Sequence, residues 1–574
     1  MTPLRFLLGI PLAMAPASQG QVELVRDPLQ IGGGQIRLWI GDDVPVMGLG
    51  PGGSLLGMLF SRETMKRCAP PACFDPCANI ADRLLREYWG AYLAFWPDRT
   101  GRRLHVITDP SGLLPAYSSR MGDHLLVASH AELFGQAAGA SLRVCPDALA
   151  AFLLRPELRG TRTCLAGVEE IAPGTLLSIG DGQVERNTLW RPSDVTAACS
   201  SLTFREAAAD LRSLGTAVLD AWAGAFGPVA VAASGGVDSS FICGALQVGG
   251  ADYSCVTLAT PDASGDERIH VRQLASHLGV PYLECRYDPS GFDIRLPASA
   301  GLTRPSRKSF LASLDNHLRQ AMAQLAAGVV MDGNGGDNLF CYLHSAVPIV
   351  DRLLAEGPGR GSLASFIDMC RVTGCDIPAM SAALVRSLRK PRAGFVWPPD
   401  RRLLSPGACL DCAPQPFAAW AEAVETGSRG RAAHCELLMH AQFHVHGPSE
   451  GWPRLSPLLS QPLVEYCLSL PSWLWCEGGL NRALARDAFA RELPPSIVAR
   501  TSKAGPDSFL RGIYAVNRQA IRDLLLGGWL ASRGLLDPVA VEQALHTDPL
   551  TGSEIIYRLL DLAEAENWAR SWDG

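Results

Sequence analysis

VAVAASGGVDSSFICGALQVGG, residues 229–250, is the stretch that decides the fold of much of this chain. It has the pattern of a short apolar strand, a glycine-rich polar turn and the start of a helix. Glycines let backbone N–H groups approach an anion, and hydroxyl groups and a helix N-terminus add further donors. The pattern predicts a cradle for a pyrophosphate group, formed by Ser234, Gly235, Gly236, Val237, Asp238, Ser239 and Ser240.

The turn differs from a Walker A loop, because it lacks the G-x-x-x-x-G-K-[ST] spacing and has no lysine to contact the terminal phosphates. It carries Asp238 instead, and a carboxylate beside phosphates is best explained as a ligand of a hard cation such as Mg²⁺. The full SGGVDSS motif resembles the PP-loop of the ATP pyrophosphatases, which cleave ATP between the α and β phosphates. The alternative is an ordinary Gly-Ser turn between a strand and a helix.

A second glycine-rich turn, DGNGGDNLF, follows the apolar run at residues 328–331. If its strand lies beside the first one, Asp337 and Asp238 would hold one or two Mg²⁺ ions against the triphosphate of ATP. Gly333, Gly335 and Gly336 would then complete the phosphate site. The alternative is a turn whose polar side chains face solvent. Two such turns predict ATP binding at the carboxyl ends of a parallel sheet.

Size and charge exclude several classes of protein. The 574 residues suffice for two to four domains, and 51 basic against 57 acidic residues give a net charge of −6. The chain has no long basic run, so a nucleic-acid partner is not expected. It also has no apolar run of the length that a membrane span needs. Residues 1–20 resemble a weak secretory signal, but we interpret them as a buried first strand of a cytoplasmic protein, because ATP is cytoplasmic.

The 17 cysteines are spread thinly in apolar settings, which is typical of reduced core thiols. Two cysteine clusters and one histidine cluster were weighed as metal sites: Cys68, Cys73 and Cys77; Cys409 and Cys412; His440, His444 and His446. None of them has the second pair of ligands that a zinc site usually needs. Loop and core roles are the preferred interpretation.

The chain divides into two regions by its pattern. Up to about residue 195, short β-type runs are broken by glycine and proline, and one helix is predicted at CPDALAAFLLRP, with Asp147 near its start. Residues 188–201 have little periodicity and are predicted to be a linker. From residue 204 onward, helices alternate with strand-like runs, which predicts a parallel sheet. We therefore predict an α+β domain over 1–195 and a helix-rich α/β domain over 202–574.

The chain resembles the asparagine synthetase superfamily over most of its length. In the second region the resemblance lies in SGGVDSS, in Asp266-Glu267, and in the runs GNGGDNLF, PLLSQPLVEYCLSLP and RALARDAFARELPPSIVARTSKAG. In the first region ITDPSGLLPAYSS, LLVASHAELF and GVEEIAPGTLLSI resemble a class II glutamine amidotransferase domain, which is a sandwich of sheets. The resemblance implies a PP-loop ATP pyrophosphatase fold for the second region.

The sequence departs from this family in two places. Class II glutaminases use an N-terminal cysteine, whereas this chain begins Met1-Thr2-Pro3 and its first cysteine is Cys68, so glutamine hydrolysis is not expected. Asparagine synthetases have an acidic residue in the second turn, where this chain has Asn334. The GGDN form and the PLLSQPLVE run resemble the lasso peptide cyclases, or lasso macrolactam synthetases.

The resemblance implies that ATP and Mg²⁺ activate an Asp or Glu side chain of a precursor peptide as an adenylate, which the peptide's N-terminal amine attacks. Lys503 would stabilise the transition state. Asn334 is a poor proton acceptor, so Glu436 and Glu450 are candidates for the general base, with a substrate phosphate or water as alternatives. The implied partners are a precursor peptide, a leader peptidase and a leader-recognition protein. An ammonia-dependent asparagine synthetase, a β-lactam synthetase and an inactive scaffold are the competing functions.

Overall fold

The computed structural model describes most of the chain. The described residues are 5–12, 22–27, 35–41, 44–50, 52–70, 79–139, 141–196, 202–259, 266–286, 292–307, 309, 312–389, 395–408, 413–444, 454–501, 507–546 and 553–573. The described helices include none that combines the length and the apolar character of a membrane span.

The first region holds two six-stranded sheets, with strand orders β10-β8-β9-β1-β3-β2 and β12-β11-β7-β6-β5-β4. Neighbouring strands are antiparallel except for β2 and β3. The strands are β1 (Phe6–Pro11), β2 (Val22–Leu24), β3 (Ile36–Ile40), β4 (Val46–Gly48), β5 (Ser54–Ser61), β6 (Tyr88–Pro97), β7 (Leu104–Thr108), β8 (Tyr117–Met121), β9 (His124–Ala128), β10 (Val168–Glu170), β11 (Thr175–Gly180) and β12 (Gln183–Thr188). The helices are α1 (Ile80–Glu87), α2 (Glu132–Ala138), α3 (Pro146–Leu154) and α4 (Pro192–Thr196).

The second region holds a five-stranded parallel sheet, order β15-β14-β13-β16-β17, among many helices. Its strands are β13 (Val229–Ala232), β14 (Tyr253–Ala259), β15 (Tyr282–Arg286), β16 (Val329–Asp332) and β17 (Arg454–Leu455). Its helices are α5 (Phe204–Phe226), α6 (Val237–Gly249), α7 (Arg268–Leu278), α8 (Ala312–Gln324), α9 (Gly336–Leu339), α10 (Val347–Glu356), α11 (Arg360–Thr373), α12 (Ile377–Arg389), α13 (Ala418–Thr426), α14 (Arg429–His444), α15 (Gln461–Ser469), α16 (Ala483–Ala488), α17 (Pro495–Val498), α18 (Asp507–Gly527), α19 (Trp529–Ser532), α20 (Pro538–Leu545) and α21 (Ser553–Asp573).

Most of the elements predicted from the sequence are present. The first strand is β1, which is buried along its length, and the helix predicted with Asp147 near its start is α3. Helix α5 begins with a capping box in which the Thr203 hydroxyl and the Glu206 side chain bond each other's backbone. One expectation was wrong in part, because α4 lies inside the stretch predicted to be an irregular linker. The domain boundaries themselves stay a prediction.

The two regions share their hydrophobic cores. The Phe60 and Trp89 rings from β5 and β6 stack with centroids 4.5 Å apart, and Trp222 from α5 meets the Phe60 ring edge-on at 4.7 Å. A second core joins Phe134 and Leu149 of the first region to Trp568 of α21. Because apolar burial is the main stabilising force in folding, we expect the two regions to stabilise each other.

Candidate active site

The turn between β13 and α6 has the backbone shape of an anion cradle. Gly235 has φ +64°, and a Cβ added there would lie 2.5 Å from Cβ of His270, so glycine is required for both conformation and space. The Ser239 hydroxyl oxygen accepts a hydrogen bond from the Ser234 N–H at 3.2 Å, which closes the turn. Helix α6 starts directly after it at Val237, and the first N–H groups of a helix have no acceptor within the helix.

The second turn lies directly against the first. Strands β13 and β16 are parallel neighbours, with Val229 opposite Val329 and Ala232 opposite Asp332, so both turns leave the same edge of the sheet. A Cβ added to Gly336 would lie 2.5 Å from Cβ of Asp238. The two turns are therefore adjacent, as a joint site for phosphate and metal requires.

Asp332 fixes the shape of the second turn. Its carboxylate accepts hydrogen bonds from the Asn334 N–H at 3.0 Å and from the Asn334 side-chain amide at 3.2 Å. It also accepts one from the Ser456 hydroxyl at 2.8 Å and one from Arg454 Nε at 2.5 Å. Asn334 therefore has a structural partner inside its own turn.

Asp238 and Asp337 converge on one atom, Nη1 of Arg482. That nitrogen lies 3.1 Å from each carboxylate oxygen of Asp238, and it donates a further short hydrogen bond to Asp337 Oδ1. The Asp238 side chain is 10% exposed and that of Asp337 is 37% exposed. The site is therefore buried on the Asp238 side and open to solvent on the Asp337 side.

Three buried polar atoms around the first turn have no hydrogen-bond partner among the described residues. They are Oγ of Ser240, Nδ1 of His270 and Nε of Arg500. Arg500 is nevertheless well placed, since its Nη1 donates to the Ser234 carbonyl at 2.9 Å and its Nη2 donates to Glu267 at 2.9 Å. Burial and the Arg500 charge lower the pKa of His270. Because all three atoms can donate hydrogen bonds, the surroundings of the turn fit a phosphate-bearing ligand.

The same residues fit a magnesium ion that is bound together with phosphates. The described residues include no group of three or more His, Cys, Asp and Glu side chains that would hold a metal by themselves. Mg²⁺, however, is usually bound by one or two carboxylates, with water and substrate phosphates as its other ligands. Asp238 and Asp337 supply two such carboxylates at one point.

A family comparison identifies this site's relatives. The profile of the asparagine synthase family matches residues 212–388 and 455–570, which together are just over half of the chain. The chain belongs to the asparagine synthase family. The matched segments include both turns, Arg482 and Arg500. Membership of the asparagine synthase family supports, in general terms, an ATP-dependent ligase that forms amide bonds.

Two solved structures show only weak similarity to this chain. One is glutamine phosphoribosylpyrophosphate amidotransferase from B. subtilis complexed with ADP and GMP, at 13% identity and a TM-score of 0.18, covering 49% of this chain and 65% of that one. Another is the allosteric regulatory enzyme of purine biosynthesis, at 15% identity and a TM-score of 0.17, covering 50% of this chain and 56% of that one. The chain thus spans less than two thirds of either protein, and TM-scores this low carry no argument. No match was found among curated proteins.

The predicted catalytic residues of this asparagine synthase family member remain predictions. Lys503 and Glu450 lie outside the described residues. Glu436 lies on α14, which contacts the second turn through His434, whose Nε2 donates to the Leu339 carbonyl at 2.8 Å. Two residues along a helix correspond to about 200° of rotation, which puts Glu436 on roughly the opposite side of α14 from His434. Asn338 donates its side-chain amide to the Leu437 carbonyl at 2.7 Å, so it ties the second turn to α14.

The cysteine and histidine clusters contribute no metal site within the described part of the chain. His440 is paired with Glu157 at 3.2 Å, and its ring lies on that of Trp397 with centroids 4.1 Å apart. Cys68 is half-buried, and burial raises the pKa of its thiol. Five other members lie outside the described residues: Cys73, Cys77, Cys409, Cys412 and His446. The sixth, His444, ends α14, but its side chain is not described.

The arginines of the site were not predicted from the sequence. Arg482 and Arg486 both lie in the RALARD run that carried the family resemblance, but an arginine in a helical stretch usually faces solvent. In the structure both are buried. Burial and the neighbouring Arg482 charge lower the pKa of Arg486 to about 10. No local pattern in the sequence marks these two arginines, and only the fold shows that they are buried and what they face.

Gly336→Ala is expected to lower ATP–pyrophosphate exchange by about a hundredfold while the protein stays folded. The new methyl group would overlap Cβ and Cγ of Asp238, both 2.5 Å away, and displace that carboxylate. A displacement of about 1 Å in a site costs on the order of 100-fold in rate. The matched control is Gly224→Ala in α5, where a Cβ meets no atom within 4 Å. Equal activities of the two variants would contradict the prediction.

Proposed function

We propose that this protein is an ATP-dependent, AMP-forming carbon–nitrogen ligase that closes a macrolactam in a lasso peptide. The observation that carries the ligase part is the convergence of Asp238 and Asp337 beside a glycine turn, around which three buried donors have no partner among the described residues. Family membership supports the same chemistry in general. We assign a PP-loop type of ATP site to the second region and a glutamine amidotransferase-like fold to the first.

The reaction has two balanced steps. An oxygen of a side-chain carboxylate in the peptide attacks the α phosphorus of ATP, the bond from that phosphorus to the bridging oxygen breaks, and pyrophosphate leaves. The peptide's N-terminal amine then attacks the acyl carbon, AMP leaves, and the amine proton passes to a base or to water. Bound Mg²⁺ would neutralise charge on the leaving pyrophosphate.

The described residues divide this work between them. The turn at 234–240 holds the phosphates with backbone N–H groups and hydroxyls, and Arg500 and His270 support it from one side. Asp238 and Asp337 hold the metal. The open Asp337 side is where we place the entry of the peptide, because the Asp238 side is buried. Lys503 is proposed as the cation that stabilises the transition state, and Glu450 as the base. Glu436 is the second candidate, because it lies on roughly the opposite side of α14 from His434, which contacts the second turn.

The peptide substrate is inferred from the second turn. Asparagine synthetases have an acidic residue where this chain has Asn334, and here the Asn334 amide bonds Asp332. A neutral residue in that place, with the GGDN and PLLSQPLVE runs, supports a cyclase over a synthetase that acts on free aspartate. The precursor peptide, a leader peptidase and a leader-recognition protein are the partners we propose, in the cytoplasm.

The test is incubation of the full chain with ATP, Mg²⁺ and a leader-processed candidate peptide that has glycine first and an acidic residue in the ring position. We expect a peptide product lighter by one water, together with AMP and pyrophosphate. A matched peptide with the ring acid changed to its amide keeps its size and is expected to give no product.

Other outcomes decide against the proposal. AMP formation that needs only free aspartate and ammonia would indicate an asparagine synthetase, and AMP formation with a small β-amino acid would indicate a β-lactam synthetase. Absence of ATP–pyrophosphate exchange with every substrate would indicate a scaffold without turnover.

A further inference from the structure

Arg482 occupies the point at which the two proposed metal ligands meet. One nitrogen of its guanidinium contacts both oxygens of Asp238 and one oxygen of Asp337. The Arg482 side chain is 8% exposed. A divalent cation bound by both carboxylates would need this position, so the guanidinium and the metal exclude each other.

The arginine is held in this position from several sides. Its backbone has φ +55° and ψ +35°, a left-handed conformation that is uncommon for a residue with a side chain. Its Nε donates to Asn481 Oδ1 at 3.2 Å. The Tyr342 ring lies over its guanidinium, 5.0 Å from Cζ to the ring centroid, which is a cation–π arrangement. These contacts indicate a built position and not a chance ion pair on the surface.

Electrostatics explains why a cation is needed there. Two carboxylates that lie close together repel each other, and the charge of Asp238, whose side chain is mostly buried, is costly unless a cation lies near it. Arg482 removes this cost when the metal is absent. A Mg²⁺ ion alone would have to displace a buried guanidinium from its two carboxylate partners. A Mg²⁺ ion that arrives with a triphosphate brings another anionic partner with it.

We propose that Arg482 is the resident counter-ion of the metal site, and that it makes metal binding depend on the nucleotide. The inference rests on the proposed function in that Asp238 and Asp337 are taken as the metal ligands. Before ATP binds, Arg482 holds the two carboxylates together. When the metal enters with the triphosphate, Arg482 exchanges the carboxylates for phosphate oxygens, and it returns when pyrophosphate and metal leave. Thermodynamic linkage then requires the metal to strengthen nucleotide binding by the same factor.

The experiment measures Mn²⁺ binding to the full chain without nucleotide, by the loss of the free Mn²⁺ signal in electron paramagnetic resonance. We expect Arg482→Met to bind Mn²⁺ at least about tenfold more tightly than the unsubstituted protein, since it removes the guanidinium that competes with the metal for Asp238 and Asp337. The double variant Arg482→Met with Asp337→Asn should lose that gain. The control is Arg212→Met on α5, which removes the ion pair between Arg212 and Glu492. It should leave Mn²⁺ binding unchanged.

Equal Mn²⁺ affinity of the unsubstituted protein and Arg482→Met would overturn the inference. If Arg482→Met does not fold, as judged by circular dichroism, Arg482→Lys replaces it. Lysine has a single ammonium group and cannot reproduce the guanidinium fork, so an intermediate gain is expected, and no gain would count against the inference. The measurement uses neither ATP nor peptide. If Arg482→Met binds Mn²⁺ more tightly than the unsubstituted protein but the unsubstituted protein shows no ATP–pyrophosphate exchange, the proposed function alone is refuted. If exchange occurs but the two proteins bind Mn²⁺ equally, this inference alone is refuted.

Discussion

Asp238→Asn is expected to reduce ATP–pyrophosphate exchange by about a thousandfold. The substitution keeps the shape of the side chain but removes a charge that faces both the phosphate turn and Asp337. Electrostatic groups placed at the reacting centre are typically worth on the order of 100- to 1000-fold in rate, and a metal ligand belongs at the upper end. Exchange is measured with labelled pyrophosphate in the presence of the peptide, because it reports the first chemical step without the second.

The variant must be shown to be folded, because Asp238 also pairs with the buried Arg482. Thermal melting followed by circular dichroism provides that check. Asp220→Asn, at an exposed position near the end of α5, serves as the control and should keep full exchange. Exchange by Asp238→Asn within tenfold of the unsubstituted protein would remove Asp238 from the metal site.

Trp222→Ala is expected to lower the free energy of unfolding by about 3–5 kcal/mol, the usual cost of removing a buried tryptophan side chain. Trp222 is 1% exposed and lies against Phe60 and Trp89 of the first region. Its ring N–H donates to the Ser460 hydroxyl at 2.9 Å, so the truncation also leaves that hydroxyl without a donor. Urea titration followed by fluorescence and by circular dichroism measures the change.

Two further variants serve as comparisons for the loss of stability in Trp222→Ala. Trp222→Phe keeps an aromatic ring and should cost less, because much of the contact with Phe60 is retained. Leu354→Ala removes a side chain that is 62% exposed and should change the stability by less than about 0.5 kcal/mol. A change for Trp222→Ala as small as that for Leu354→Ala would mean that the two regions do not stabilise each other through this core.

Short-range pattern was enough to predict most of the strands and the first phosphate turn. Alternating or continuous apolar runs followed by glycine punctuation marked β1, β6, β13 and β16, since each of these strands is buried. Strand β15 was not predicted because it is a half-exposed edge strand, and β17 because it has two residues. Strands β2, β4, β5, β8 and β10 of the first region were not predicted either. The small helix α4 was missed because five residues are too few to show a period.

In the candidate site, too, some residues were predicted from the sequence and others were found only in the structure. Asp238 and Asp337 were predicted from the sequence because each stands in a glycine-rich turn after an apolar run, and local chemistry is enough to suggest a phosphate and metal site there. Arg482 is 244 residues from Asp238 and 145 from Asp337, and no local pattern distinguishes it from a surface arginine. The sequence by itself determined the two turns and the family. Only the tertiary structure decided that β13 and β16 are neighbours and that one buried guanidinium faces both carboxylates, because long-range pairing and charge burial depend on how distant segments pack.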